Sequence, residues 1–316
     1  MKLSGKVSYF GGPEDMGVSS SEGLALYEPS QIDEAPDGMF LEHPPPGVGL
    51  ARSLNPEFPY IATRWNYDLT SKEDLRAMRV LVRAPLTGKM VLAYPADWGP
   101  HEDTDRVCDV SPSVLEDLGI DTDDEVEVIY FSDEDPEQLE VCISSGHGKY
   151  IRGASGIIDE VDEARRVVPK VAEYLEQIGV DVITFNDDTS HDQTTNLHTI
   201  VDFHNEQRRD LDVSVHFNAN VETENPMGTE CLFLTQELLA DDMAEAIAKY
   251  GHLKDRGPKE RTDLYFLNHT DEPAILIEVC FVDSSADCSM YKKHFDAICM
   301  AIAGVIASSQ SDALVA

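Results

Sequence analysis

Residues 274–282 read AILIEVCFV, nine positions apolar at all but one. A run this rich in Ile and Val, with Pro273 before it and Asp283-Ser284-Ser285 after it, reads as a strand covered on both faces. Such strands belong to mostly parallel sheets closed by helices on each side, so this one segment points to an α/β domain. The exception inside the run is Glu278. An ionised carboxylate there is costly unless it is paired, hydrogen-bonded, metal-bound or protonated. Two roles fit it: a structural carboxylate held by an arginine or a loop amide, or an acid/base whose pKa is raised by desolvation.

The flanking sequence extends the pattern. EVCISSGHG, VDVITF and LDVSVHFNAN read as strands, and they alternate with helical stretches. The helices are EVDEARRVVPKVAEYLEQIG, ending at Gly179, then TNLHTIVDFHNEQ, LLADDMAEAIAKYG and a last one from about 286 to 306. Strand–helix alternation predicts a doubly wound, mostly parallel sheet with helices on both faces. Pro169 predicts a kink or a broken start in the first of these helices. Residues 1–131 differ. Short apolar runs (GKVSYFGG, RVLVRAP, KMVLAYPADWGP) are broken by Gly and Pro, a helix capped by Ser111 follows, and DEVEVIYF closes the segment. That is a small β-barrel pattern with a helical insertion. The acid-rich stretch 132–140 reads as a linker, leaving 141–310 as the second domain.

Sixty acids against 24 bases give a net charge of −36. Nucleic acid is excluded as a partner, because phosphate binding needs a basic face. An anionic cell surface would repel the chain at low salt. No apolar run approaches the ~20 residues needed to span a bilayer, so no membrane insertion is expected. The start, MKLSGKVSYFGG, has no apolar core of a secretory signal. None of the six cysteines forms a C-x-x-C pair, and they read as reduced core thiols. Oligomeric state has no signature in the sequence.

In a doubly wound sheet, ligands bind beyond the carboxyl ends of the strands. The first strand runs into SSGHG, which carries His147; DVSVHFNAN carries His216; ILIEVCF carries Glu278. Each alone would be unremarkable, but three converge on one edge. Two histidines and one carboxylate with an open fourth position are the usual set for a catalytic zinc. Glu160 and Glu163, at the mouth of the first helix, both qualify as the third ligand, although acids are common in any first turn. His198 and His204 lie six apart on one helix, on different faces, and do not form an i,i+4 metal pair.

At these residues the second domain resembles the zinc-dependent N-acetylmuramoyl-L-alanine amidases of bacterial cell-wall hydrolases and phage endolysins. SSGHG, SVHFNAN, GTECLFL and PAILIEVCFVDSSAD carry the resemblance, in the family's order and spacing, over about 141–306. It implies Zn2+ held by His147, His216 and an early-helix glutamate, with Glu160 favoured over Glu163, and Glu278 as catalytic acid/base. It also implies peptidoglycan as the substrate and action at the cell wall, reached by a chain without a signal peptide after lysis or through a holin. The first loop reads SSGHGKY where many members have Asp-Pro-Gly-His-Gly-Gly, and Asn268 stands where an arginine is common. The first domain resembles the double-psi β-barrel of the rare lipoprotein A and expansin group through GKVSYFGG, PADWGPHEDTDRVCDVSPSVLEDLGI and DEVEVIYF. This implies glycan-strand contact, with Asp97 as the sugar-contacting or catalytic acid. His43 and His101 are candidates for a second catalytic group there, and Trp65 and Trp98 for sugar stacking.

Overall fold

The computed structural model describes residues 2–68, 70–87, 89–129 and 139–313. The chain divides into two compact units, one formed mainly by residues 1–136 and the other by the remainder. Most of the expected linker, residues 132–138, lies outside the described residues.

The first unit is a closed six-stranded barrel. Its strands are β1 (Lys2–Tyr9), β2 (Tyr60–Thr63), β3 (Val80–Arg83), β4 (Met90–Trp98), β5 (Arg106–Val110) and β6 (Glu125–Ile129), in the order β1-β5-β2-β4-β3-β6. β6 returns to pair with β1, which leaves no free edge. Two contacts, β1–β5 and β2–β4, are parallel and the rest antiparallel. Short helices α1 (Leu50–Ser53), α2 (Lys72–Ala77) and α3 (Pro112–Leu118) lie between strands. α3 is the helix expected after Ser111. The Ser111 hydroxyl accepts from the Val114 amide at 3.4 Å, and Gly119 ends the helix at φ +67. The long segment between β1 and β2 adds Leu26, Tyr27, Met39 and Leu54 to the barrel core. Gly11 is required there. Its φ is +81, and a side-chain carbon would stand 2.9 Å from the Tyr60 hydroxyl.

The second unit is a six-stranded sheet of β7 (Glu140–Ser145), β8 (Asp181–Phe185), β9 (Leu211–Asn218), β10 (Thr229–Phe233), β11 (Asp255–Glu260) and β12 (Ala274–Phe281), in the order β11-β10-β12-β9-β7-β8. β8, β7, β9 and β12 are mutually parallel. β10 pairs antiparallel with β12, and β11 follows β10, so the sheet is mixed at that end. Its helices are α4 (Glu160–Gln177), α5 (Gln193–Glu206), α6 (Glu237–Gly251), α7 (Tyr265–His269), α8 (Ser285–Lys293) and α9 (Phe295–Ala313). The pleat sends Leu276 and Glu278 to one face of β12 and Ile275, Ile277 and Val279 to the other. On the Leu276 face, Ile200 and Val201 of α5 pack with Leu232, Phe266 and Leu267. Ile275, Ile277 and Val279 are fully buried as well, as the unbroken apolar run demands. α6 packs on β10, β11 and β12, and α9 packs on α6.

Two expectations are corrected. α4 starts at Glu160, nine residues ahead of Pro169, and continues to Gln177, so its start is not broken there. The last helix is two, α8 and α9, separated at His294.

Candidate active site

β7, β9 and β12 end at one edge of the sheet, and each delivers one of the three residues expected there. His147 follows β7 in the loop Gly146–Gly148. His216 lies near the end of β9, directly opposite Glu278 of β12. Glu160 opens α4 and is buried. One Glu160 oxygen stands 2.9 Å from His216 Nδ1 and 3.6 Å from His147 Nε2. The two imidazoles are edge to face, 5.0 Å between centres. The carboxylate is fixed by backbone: Oε2 accepts from the Ala154 amide at 2.5 Å and Oε1 from the Phe217 amide at 3.2 Å.

Burial pulls His216 toward its neutral form, but the hydrogen bond and charge of Glu160 outweigh it and raise its pKa. Burial works against the Glu160 carboxylate in turn, yet His216 holds it below its usual range. His147 is desolvated and lies beside His216, which lowers it to about 4. It is therefore neutral at physiological pH, the form that ligates metal.

These three groups offer one ligand atom each within 4.8 Å of one another. Tetrahedral zinc with ligand bonds of ~2.0–2.1 Å needs donor atoms about 3.3 Å apart. The distances of 2.9 and 3.6 Å bracket that spacing. Two buried polar atoms at the edge, His147 Nδ1 and Glu278 Oε2, have no hydrogen-bond partner among the described residues. The glycines around the site leave room for it. A side-chain carbon on Gly146 would fall 1.8 Å from His216 Nε2, and one on Gly153 would fall 2.2 Å from Glu160 Oε2. The residues present fit a zinc ion. Glu163 does not join them: its carboxylate is held by Arg166 at 2.6 Å and by the Tyr291 hydroxyl at 2.9 Å.

Glu278 shares a cavity of about 350 Å³ with His147 and His216. Burial, chiefly, pushes its carboxyl up to about 7; His216 and Arg261 oppose this, and the charges of Glu160 and Glu230 add to it. Glu230 lies opposite Glu278 on β10. It is held by Arg256 at 2.6 Å and Asn218 at 2.9 Å. Among the described residues no arginine forms an ion pair with Glu278; Arg261 acts on it only through space. Asn268 is turned away, with its amide donating to the carbonyls of Thr262 and Leu264. The arginine of the cavity is Arg261, just past β11.

A second cluster, Cys142, His204 and Asp212, also has ligand-type atoms close together. It is a closed network. His204 Nδ1 bonds Asp212 at 2.7 Å and Nε2 bonds the Ser144 hydroxyl at 2.9 Å, while Arg209 grips both Asp212 oxygens. Burial holds the Cys142 thiol near 12, so no thiolate forms. With both ring nitrogens and the carboxylate engaged and every member fully buried, nothing is left to bind an ion or a substrate.

In the barrel, Asp97 Oδ1 accepts from the amides of Ala25 at 2.6 Å and Trp98 at 2.8 Å. Burial raises its pKa against these bonds. The residue missed in the sequence is Asp109 of β5. Ala62 of β2 pairs with Asp97 on one side and Asp109 on the other, so the two carboxylates share a row and a face across a small side chain. Burial, with the charges of Asp97 and Asp15, pushes Asp109 up to about 6, against the pull of Arg106. Its signal was the Asp-x-Ser before α3, hidden in a strand of ordinary alternation. Trp98 is exposed and Trp65 is a core residue. His43 is exposed and His101 pairs with Asp103, so neither histidine joins the carboxylates.

The family model described as N-acetylmuramoyl-L-alanine amidase matches residues 141–308. An uncharacterized 38.4 kDa protein of Clostridium perfringens is 33% identical over 160 residues, 49% of this chain and 46% of that protein. The chain thus spans about half the length of the curated relatives it matches. Among solved structures, the N-acetylmuramoyl-L-alanine amidase from Clostridium difficile 630 is 24% identical with a TM-score of 0.49, over 55% of this chain and 98% of that one. The catalytic domain of the CD27L endolysin, which targets the same species, is 24% identical with a TM-score of 0.47, over 55% and 98%. Because the matched segment is more than half of its length, the chain belongs to the N-acetylmuramoyl-L-alanine amidase family.

Proposed function

We propose that the second unit is a zinc-dependent peptidoglycan hydrolase that cleaves the amide between N-acetylmuramic acid and the L-alanine of the stem peptide. The observation that carries this reading is one cavity holding His147, His216 and an unpaired Glu278, with Glu160 beside both imidazoles. His147, Glu160 and His216 would hold the zinc, and Glu163 would not. Bound there, zinc lowers the pKa of a ligated water to about 7 and polarises a carbonyl. Glu278 takes the proton of the attacking water and returns it to the departing L-alanine amine. A carboxyl poised near 7 suits both transfers. The amides of Ala154 and Phe217 keep Glu160 in place. Gly146 and Gly153 keep side chains out of the ligand cluster.

Metal content tests the ligand set. His216→Ala and Glu160→Gln are expected to lose zinc, and Glu163→Gln to keep it. Stoichiometric zinc in His216→Ala would remove the site.

For the first unit we propose a double-psi barrel that contacts glycan strands through the face bearing Asp97 and Asp109, with exposed Trp98 beside them. Two desolvated carboxylates in one row support this. Peptide-free glycan strands should bind the full chain, and Asp97→Asn or Asp109→Asn should weaken binding or abolish cleavage of those strands. Equal binding and processing by all three proteins would contradict the assignment. Action at the cell wall is part of the same proposal; no described helix is long and apolar enough to cross a membrane.

A further inference from the structure

Among the described residues, one arginine and two histidines line the cavity around Glu278. Among the described lining residues, Arg261 is the one Lys or Arg, in a chain where acids outnumber bases 60 to 24. Its backbone amide donates to the Phe233 carbonyl at 2.8 Å, which pins it to the end of β10. Asp263 takes Nε at 2.8 Å and Nη2 at 3.0 Å and so orients the guanidinium. The side chain stays 41% exposed; Asp263 takes only Nε and Nη2, and the charges of Glu278 and Glu230 act on the guanidinium from further off. A guanidinium held by one edge and open at the other is built to take a second carboxylate.

Its position relative to Glu278 can be counted along the sheet. Glu278 faces Glu230 across one strand spacing, and Arg261 bonds Phe233, three residues further along β10 and one strand beyond it. Two spacings of about 4.8 Å and three rises of about 3.4 Å put the two α-carbons roughly 14 Å apart. Both residues line the one cavity. In a muramoyl peptide, the α-carboxyl of the residue after L-alanine lies about two extended residues, ~7 Å, from the scissile carbonyl.

We propose that Arg261 is a specificity residue that receives this carboxylate, so that the protein prefers a free acid at stem position two over its amide. The role rests on the amidase reading above. A charge-assisted, two-pronged contact separates an acid from its uncharged amide by about ten- to a hundredfold.

The test uses the zinc-loaded full chain and two purified peptidoglycans that differ only in carrying isoglutamate or isoglutamine at position two. Initial rates of L-alanine amino-terminus release are read against substrate concentration. Wild type is expected to show a kcat/KM about ten- to a hundredfold higher on the acid form, carried mainly by KM. Arg261→Gln should lose that preference, and Arg261→Lys should keep part of it. A merely structural Arg261 would lower both rates together and leave their ratio unchanged. Equal kcat/KM on both polymers by wild type, or an undiminished preference in Arg261→Gln, overturns the assignment and leaves the amidase reading standing. Failure of wild type to cut either polymer overturns both. If Arg261→Gln does not fold, the wild-type ratio and that of Arg261→Lys still decide.

Discussion

Glu278, proposed above as the acid/base, would also leave a trace in stability. Its folded pKa is raised to about 7 from the ordinary 4.5, mainly by burial. The folded protein therefore binds this proton more tightly than the unfolded chain. The contribution is present in full below about pH 4.5 and is lost as pH rises through about 7. In the metal-free protein, Glu278→Gln should match wild type near pH 4 and melt a few degrees higher at pH 8, a gain of at most about 3 kcal/mol. A structural carboxylate paired with a buried cation would give the opposite sign at pH 8. Gly146 makes a second residue-scale case. Gly146→Ala should fold yet lose zinc, since the new methyl would occupy the space of the His216 ring; retention of stoichiometric zinc would show that the loop can yield. His147, His216 and Glu278 were legible because each ends a recognisable strand. The choice of Glu160 over Glu163 was not fixed by residue type, since both open the same helix; the amides that grip one and the tyrosine that holds the other come from distant parts of the chain.

Among the elements, β12 was legible because a strand buried on both faces has to be apolar throughout. β11 was not, and Arg261 went unseen with it. Its sequence DRGPKE has no apolar residue, for it is an edge strand bonded only to β10 and exposed to solvent. Gly257 and Pro258 are tolerable only at such an edge. Asp109 was overlooked for a related reason. Barrel register, which aligns it with Asp97 through Ala62, is a property of three strands together. The Ser144–His204–Asp212 network ties β7, α5 and β9 behind the active-site edge. His204→Ala would take from the buried Ser144 hydroxyl its imidazole partner, remove one of the bonds on Asp212 and leave a cavity, and should cost about 3 kcal/mol in chemical denaturation. Zinc content per folded molecule should stay at the wild-type level. Loss of zinc without loss of stability would make that cluster the metal site instead.

For the whole molecule, the charge of −36 was legible from composition and bears on how the protein would approach the proposed wall substrate. Cell-wall polymers that carry phosphate or carboxylate repel such a chain, and salt screens the repulsion. Raising ionic strength from about 0.01 to 0.15 M shortens the screening length from about 30 to 8 Å. The rate on anionic wall preparations should therefore rise over that range, and a fall would mean that a local basic surface, not the net charge, governs encounter. The central claim is that zinc held by His147, Glu160 and His216 works with Glu278 on the muramoyl–L-alanine amide. It is tested most directly by the amino termini released from purified peptidoglycan by zinc-loaded wild type and zinc-loaded Glu278→Gln. The expected result is new L-alanine amino termini from wild type and roughly 10²–10⁴-fold fewer from the variant. Near-wild-type release by a folded, zinc-loaded Glu278→Gln, or new amino termini belonging to any other residue, would contradict it.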